Sequence, residues 1–275
     1  MKKAMVPVLA ILLVVIIGSA VYFLNSDSQS GADANPEAAD APGGEAATAS
    51  ECAVTEYAMG LRWQQGAEAQ ALQGQTYEFA AKALDDAVAQ APDGEDLAIM
   101  TDLDETAIDN SELLSRDLAQ CHDYSTWDTW GDWEQNGEPG LIPGALDFFS
   151  YADSLGVDIF YVSDRTEENK SDTLATLEAL KLPQVGADNV LLLGPPKAER
   201  RAIVESDHTL VMQLGDTLQD FDGAFADASL DEQERLVEAN ADKFGTEWIV
   251  LPNPTYGNWA EADLEEWDAP LTTDK

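Results

Sequence analysis

The sequence predicts an α/β protein built on a parallel sheet of about five strands. Short apolar runs of strand length alternate with longer segments whose apolar positions recur at helical spacing, and strands separated by helices join as a parallel sheet with right-handed crossovers. Four consecutive runs also break off into polar, chemistry-bearing residues, as strands do at the ligand-binding edge of such sheets. With 45% hydrophobic residues in 275, the chain has ample material for a core. Its formal charge of -39, from 53 Asp and Glu against 14 Lys and Arg, argues against a nucleic acid polymer or an anionic membrane surface as partner.

Met1-Lys2-Lys3 precedes an uncharged, mostly apolar stretch from Ala4 through Leu24. Spanning a bilayer takes about 20 apolar residues, whereas the apolar region of a signal peptide is usually about 7–15, so the length of segment 1–24 favours an uncleaved membrane anchor. Gly18-Ser19-Ala20 leaves cleavage open. Lysines before the segment and Asp27 after it put the rest of the chain at the cell envelope, on its extracytoplasmic side. Residues 25–50 are rich in Ala, Gly, Asp, Ser, Glu and Pro without an aromatic residue and read as a flexible acidic linker; the folded domain is expected over 51–275. Cys52 and Cys121 both fall where oxidation is permitted, and spacing leaves their pairing open.

From Ala53 to Gln90, residues Tyr57, Leu61, Leu72, Tyr77, Phe79, Ala80, Leu84 and Val88 recur at helical spacing and predict two helices, closed by the turn Pro92-Asp93-Gly94. Leu97-Ala98-Ile99-Met100-Thr101 then reads as a buried strand leading into Asp102-Leu103-Asp104-Glu105-Thr106. Alternate strand side chains share a face, so Asp102 and Asp104 converge while Leu103 turns into the core. That spacing suits a metal site or a nucleophile and acid pair; the alternative is a turn or helix cap, where Asp and Thr bond locally. An insertion over about 107–142 reads as a small, mainly helical cap. Trp127, Trp130 and Trp133 fall three apart, which places them along one side of a helix, either packing a lid onto the core or stacking on an aromatic substrate.

After Pro143-Gly144, a helix is expected over Ala145 to Leu155, then a second strand over Val157 to Val162, ending in Ser163-Asp164-Arg165. A helix through Leu174, Leu177 and Leu180 leads to a third strand, Asn189 to Leu193, ending at Lys197. A helix around Arg200 to Val204 leads to a fourth, Thr209 to Leu214, ending in Gly215-Asp216 with Asp220 beyond. The last helix is expected from Leu230 to about Phe244 and the fifth strand over Trp248 to Leu251. The whole is a Rossmann-like sheet with flanking helices. Its edge gathers a nucleophile, a hydrogen-bond donor, a cation and metal-binding acids around one point.

On these residues the chain resembles the haloacid dehalogenase superfamily, whose four motifs match Asp102-Leu103-Asp104-Glu105-Thr106, Ser163, Lys197 and Gly215-Asp216 with Asp220. Asp109-Asn110-Ser111, Trp127-x-x-Trp130, Pro143-Gly144-Ala145, Leu251-Pro252-Asn253 and Tyr256-Gly257-x-Trp259 narrow the likeness to class C acid phosphatases, bacterial surface enzymes of the lipoprotein e type. Trp63-Gln64 and the stretch Gln75 to Asp85 extend it over essentially the whole folded part. Two residues depart from that group's pattern: Asp164 stands where Asn is usual, making the rim more acidic, and Thr217 where Asn is frequent.

The resemblance implies a phosphomonoesterase in which Asp102 attacks phosphorus to give an aspartyl phosphate and Asp104 acts as acid, then base. It implies Mg2+ held by Asp102, the backbone carbonyl of Asp104, Asp216 and Asp220. Ser163, Arg165 and Lys197, with Trp127 and Trp130, would bind the substrate, a small phosphate monoester such as a nucleoside monophosphate or an aryl phosphate. A phosphotransferase of the same superfamily is a close alternative. A non-enzymatic, calcium-binding surface protein is a more distant one, although an EF-hand loop begun at Asp102 would have Ala107 where glycine is needed.

Overall fold

The computed structural model describes residues 57–262, so the expected membrane segment, the acidic linker and Cys52 lie outside the described residues. Among those described, no helix is long and apolar enough to cross a membrane. Five strands, β1 (Leu97–Thr101), β4 (Asp158–Thr166), β5 (Val190–Leu193), β6 (Thr209–Gly215) and β7 (Trp248–Val250), form one parallel sheet in the order β5-β4-β1-β6-β7. The central position of β1 follows from its unbroken apolar run: Ala98, Ile99 and Met100 are all buried, as a strand flanked on both sides must be.

Helices α1 (Ala58–Gln64) and α2 (Ala67–Gln90) precede the sheet. On α2 the buried residues Ala69, Gln73, Tyr77, Ala80 and Leu84 recur every three or four positions, which turns one stripe toward the core. Tyr77 does more than pack, because its hydroxyl donates to the Thr106 carbonyl at 2.8 Å and ties the helix to the loop after β1. Its ring stands 5.5 Å from Phe148 and 5.9 Å from Phe149, both on α5 (Ala145–Ser154). Gly144 starts α5 at φ 93°, and a Cβ there would lie 2.9 Å from that of Tyr77, so the turn and the close approach both require glycine.

Between β1 and α5 runs a mainly helical insertion: β2 (Ile108–Asp109), α3 (Ser111–Ala119), a 3-10 turn at Tyr124–Thr126, α4 (Trp130–Asn136) and β3 (Gly140–Leu141). β2 and β3 pair antiparallel, Ile108 opposite Leu141 and Asp109 opposite Gly140, and close the insertion at its stem. Three helices complete the crossovers: α6 (Lys170–Ala179), α7 (Lys197–Asp207) and α8 (Leu230–Ala239).

Three local expectations are corrected. β4 continues past Val162 to Thr166, because Ser163 and Arg165 point inward and find hydrogen-bond partners there instead of solvent. α8 stops at Ala239 rather than near Phe244: the Asn240 amide donates to the Leu236 carbonyl at 2.8 Å and closes the last turn, and Phe244 packs 5.3 Å from Trp248. Trp127 is outside the helix that carries Trp130 and Trp133. It ends the 3-10 turn at φ 61°, with its N–H on the Tyr124 carbonyl, so the regular spacing straddles a chain reversal.

Phe149 is fully buried among the rings of Tyr77, Phe148 and Tyr161. Phe149→Ala is expected to lower unfolding free energy by about 3–5 kcal/mol in urea titration. Met59→Ala, at a side chain 74% exposed, should stay within about 0.5 kcal/mol.

Candidate active site

The backbone after β1 sets the site. Asp102 N–H extends the strand ladder to the Leu214 carbonyl at 2.9 Å, and the chain then coils so that the Ala107 and Ile108 N–H groups both reach the Leu103 carbonyl at 2.8 Å. Leu103 is fully buried, leaving Asp102 and Asp104 on the sheet edge. Glu105 follows at φ 55°, a left-handed conformation that costs a residue with a side chain about 1–2 kcal/mol.

Asp102, Asp216 and Asp220 each offer a carboxylate oxygen, and these lie within 4.8 Å of one another. The Lys197 ammonium, at the start of α7, donates to Asp102 Oδ1 and Asp220 Oδ1, both at 2.5 Å. Asp216 is held by Asn253 Nδ2 at 2.7 Å and by the Thr106 hydroxyl at 3.3 Å. Asp220 Oδ2 accepts from the Thr217 N–H at 2.9 Å and hydroxyl at 2.8 Å, so the threonine aims that carboxylate back over Gly215. A Cβ on Gly215 would come within 2.4 Å of the Asp220 Cβ. Burial pushes the Asp102 carboxyl well up; Lys197 opposes the rise, while Asp220 and Asp216 add to it. Burial, then Asp220, push Asp216 up likewise. Three carboxylates around one ammonium leave excess negative charge, and a set of hard oxygen donors fits a hard divalent cation.

Asp104 is held by one guanidinium, one amide and one hydroxyl instead. It accepts from Arg165 Nη2 at 2.8 Å, Arg165 Nε at 3.0 Å, Asn110 Nδ2 at 2.9 Å and the Ser163 hydroxyl at 3.1 Å. Burial alone would raise this carboxyl, but the Arg165 guanidinium and the other donors outweigh it and hold Asp104 below the usual carboxylate range. The structure therefore turns Arg165 and Ser163 onto Asp104. Asp164 lies between them in sequence and points the other way, where buried Arg200 donates to it at 2.5 Å and offsets its added charge.

Asp102, Asp104, Arg165, Lys197 and Asp216 line one cavity of about 730 Å3 together with Tyr57, Tyr124, Trp127, Trp130 and Tyr256. Trp127 is half exposed and its ring centroid lies 5.4 Å from that of Trp130, which is buried; Tyr256 stands edge-on to both, at 5.1 and 6.1 Å. Ser163 and Asp220 are buried behind this lining. All the residues singled out from sequence are thus gathered at one edge of the sheet.

Others at the same place had no role assigned. Asn110 is fully buried and uses both ends of its amide, donating to Asp104 and accepting from Trp133 Nε1 at 2.8 Å and Arg165 Nη2 at 3.2 Å. Glu134 of α4 accepts from the Thr166 hydroxyl at 2.9 Å and Asn169 Nδ2 at 2.8 Å, fastening the insertion to the end of β4. Glu105 is fully buried; burial raises its carboxyl to about 8, with Asp104 adding to the rise and the Tyr256 hydroxyl opposing it. Asn110 and Tyr256 stood in recognisable motifs, whereas no sequence signal marked Glu134.

Residues 25–259 match the family described as HAD superfamily, subfamily IIIB (Acid phosphatase). Among solved structures the chain is similar to the class C acid phosphatase from Bacillus anthracis, at 35% identity over 74% of this chain and 86% of that one, with a TM-score of 0.70. A structure described as the class C acid phosphatase from the same organism with tungstate bound is similar at 33% identity, over 79% of this chain and 93% of that one, with a TM-score of 0.72.

A carboxyl whose pKa is raised on folding binds more protons folded than unfolded between its two values, so lowering the pH through that interval favours folding. For Glu105 the interval runs from about 8 down to its usual 4.5, and Asp102 and Asp216 are shifted in the same direction. Asp104 has the opposite sign: its contribution is present above the usual carboxylate pKa and is lost only as pH falls through its lowered one. In chelator, the melting temperature should therefore rise as pH falls from about 8 toward about 5. A divalent cation that replaces protons on these carboxylates should raise it more at the higher pH. Equal increments at both pH values would mean that the cation binds elsewhere.

Proposed function

The chain belongs to the HAD superfamily, subfamily IIIB acid phosphatases, and on that premise we propose that it hydrolyses small phosphate monoesters through an aspartyl phosphate on Asp102, on the extracytoplasmic side of the cell envelope. It is a metal-dependent phosphoric monoester hydrolase, as its family and its solved relatives are acid phosphatases. Membership of that family sets aside a non-enzymatic calcium-binding role. The observation that carries the proposal is the convergence of Asp102, Asp104, Lys197 and Asp216 on one cavity.

In the first step an Asp102 carboxylate oxygen attacks phosphorus, the bond from phosphorus to the ester oxygen breaks, and Asp104 gives that oxygen its proton. In the second, water attacks phosphorus while Asp104 takes a proton from it, and the bond to Asp102 breaks to release inorganic phosphate. Asp104 needs its proton first, and an incoming phosphoryl dianion counteracts the Arg165 charge and favours the protonated form. Lys197 neutralises charge gathering on the transferring group, and Ser163, buried behind the cavity lining, holds Asp104 in place through its hydroxyl. The carboxylates of Asp102 and Asp216 and the Asp104 backbone carbonyl, with Asp220 in support, would hold a magnesium ion, which would supply Lewis-acid polarisation and offset repulsion between carboxylates and phosphate.

Trp127 and Trp130 give the cavity an aromatic wall, which favours monoesters with a flat ring in the leaving group, such as nucleoside monophosphates or aryl phosphates. The tungstate bound by the Bacillus anthracis enzyme is an oxyanion, in keeping with a phosphate-binding centre. The envelope location rests on Met1-Lys2-Lys3 and the apolar stretch after it. Turnover with and without magnesium against nucleoside monophosphates, sugar phosphates and an aryl phosphate tests the substrate class; a preference for sugar phosphates would count against it.

Asp102→Asn should abolish turnover, because an amide is a poor nucleophile and a weaker metal ligand. Asp104→Asn should lose about 10²–10⁴-fold on a nucleotide, whose leaving alkoxide needs the proton, and far less on an aryl ester in single-turnover phosphoenzyme formation. It should also accumulate the phosphoenzyme. Equal losses with no trapped intermediate would show that Asp104 acts through site geometry alone.

A further inference from the structure

Glu105 is fully buried and held at φ 55°, next to Asp104 in the chain. Its Oε1 accepts from the Asn110 backbone N–H at 3.0 Å, and its Oε2 from Asn110 Nδ2 at 3.4 Å and from the Tyr256 hydroxyl. Tyr256 arrives from far along the sequence, on the segment that follows β7. That segment is pinned on either side of the ring. The Tyr124 hydroxyl donates to the Thr255 carbonyl at 2.7 Å, and the Asn253 amide reaches both Thr255 N–H, at 2.9 Å, and Asp216, at 2.7 Å. Backbone pinning leaves a tyrosine free to turn about its side-chain torsions. The bond at the far end of the ring, from the Tyr256 hydroxyl to Glu105 Oε2, removes that freedom, and with both groups buried neither has water as an alternative partner. Against the ring so fixed stand Trp127 and Trp130, edge-on at 86° and 85°.

We propose that Glu105 is a positioning residue: through the Tyr256 phenol its buried carboxyl group fixes the aromatic wall at a set distance from Asp102 and Asp104, and so selects monoesters whose leaving group carries a flat ring. This rests on the wall receiving the leaving group. Glu105 itself touches neither substrate nor reacting atoms. The same side chain orders the turn that presents Asp104, through Asn110, so the reacting carboxylate and the wall are referenced to one buried point.

The test uses the full-length protein with magnesium supplied and compares kcat/KM for phenyl phosphate with that for glycerol phosphate, which has no ring. Relative to wild type, Glu105→Gln and Tyr256→Phe should each lower the ratio of the two by about 3–10-fold, chiefly through KM for phenyl phosphate, as expected for a lost buried hydrogen bond. The double variant should fall no further than the worse single one, because both act on one contact. Tyr256→Phe removes the hydroxyl, and in Glu105→Gln the single amide oxygen is taken by the Asn110 backbone N–H, which turns the NH2 rather than an acceptor toward the phenol. A lower melting temperature with equal losses on both substrates, or additive losses in the double variant, overturns the proposal. Tyr256→Phe leaves the turn at Glu105 untouched and carries the test if Glu105→Gln does not fold. Trp127→Ala separates the role of the wall from the role of Glu105 in positioning it. If it lowers the ratio while Tyr256→Phe and Glu105→Gln do not, the positioning role alone is wrong; if it leaves the ratio unchanged, the wall does not receive the leaving group and the positioning role falls with it.

Discussion

Crowding of like charge at the end of β1 is the constraint around which the molecule is arranged. Asp102, Asp104, Glu105, Asp216 and Asp220 meet there, opposed by Lys197 and Arg165. Buried carboxylates without partners are expensive, so all five are given donors, although Asp102 has only Lys197, which it shares with Asp220, and Asn110 serves both Asp104 and Glu105. Asp104 has Arg165, Asn110 and Ser163; Asp216 has Asn253 and Thr106; Asp220 has Thr217 and Lys197; Glu105 has Asn110 and Tyr256. Where donors suffice, as at Asp104, the pKa falls; where they do not, as at Asp102 and Asp216, it rises, and a cation is the natural remedy. In a chain of 14 cations against 53 acids, the enclosure of Lys197 and Arg165 at this one place is the clearest sign of where charge matters.

The donors come from every part of the fold, so the same bonds that quiet the carboxylates also fasten the layers together. Asn110 joins the turn after β1 to Trp133 on α4, and Asn253 joins Asp216 to the segment that carries Tyr256. Tyr77 binds α2 to the Thr106 carbonyl from the other side. Chemistry and packing share these residues, and a substitution at Asn110 or Asn253 would disturb both.

Much of this was legible in the sequence, because strands and turns leave local marks. The unbroken apolar run at Leu97–Thr101 located β1, and the polar residues at the ends of four strands located the site edge. Local marks stop where partners are distant. Thr166 and Asn169 explain Glu134, yet lie more than thirty positions away, and on a short helix Glu134 looks like any solvated acid. The far end of β4 looked like a loop because Ser163, Asp164 and Arg165 are polar, and only Asp104 and Arg200 show why they stay in a strand. The tryptophan spacing misled for a related reason: three residues is close to a helical turn, but nothing in it reveals that Trp127 sits at a reversal held by the Tyr124 carbonyl.

The pairing of Ile108 with Leu141 and of Asp109 with Gly140 brings the two ends of the insertion side by side. A loop that leaves and returns at one point can lengthen or shorten at little expense, since closure entropy grows only with the logarithm of its length. The insertion is therefore an exchangeable cassette. Its helices and tryptophans can be rewritten over generations without moving the strand ends that carry the reacting acids, provided that Asn110 at its stem and anchors equivalent to Glu134 and Trp133 are kept. Substrate range and bond-breaking chemistry can diverge at different rates in the same polypeptide.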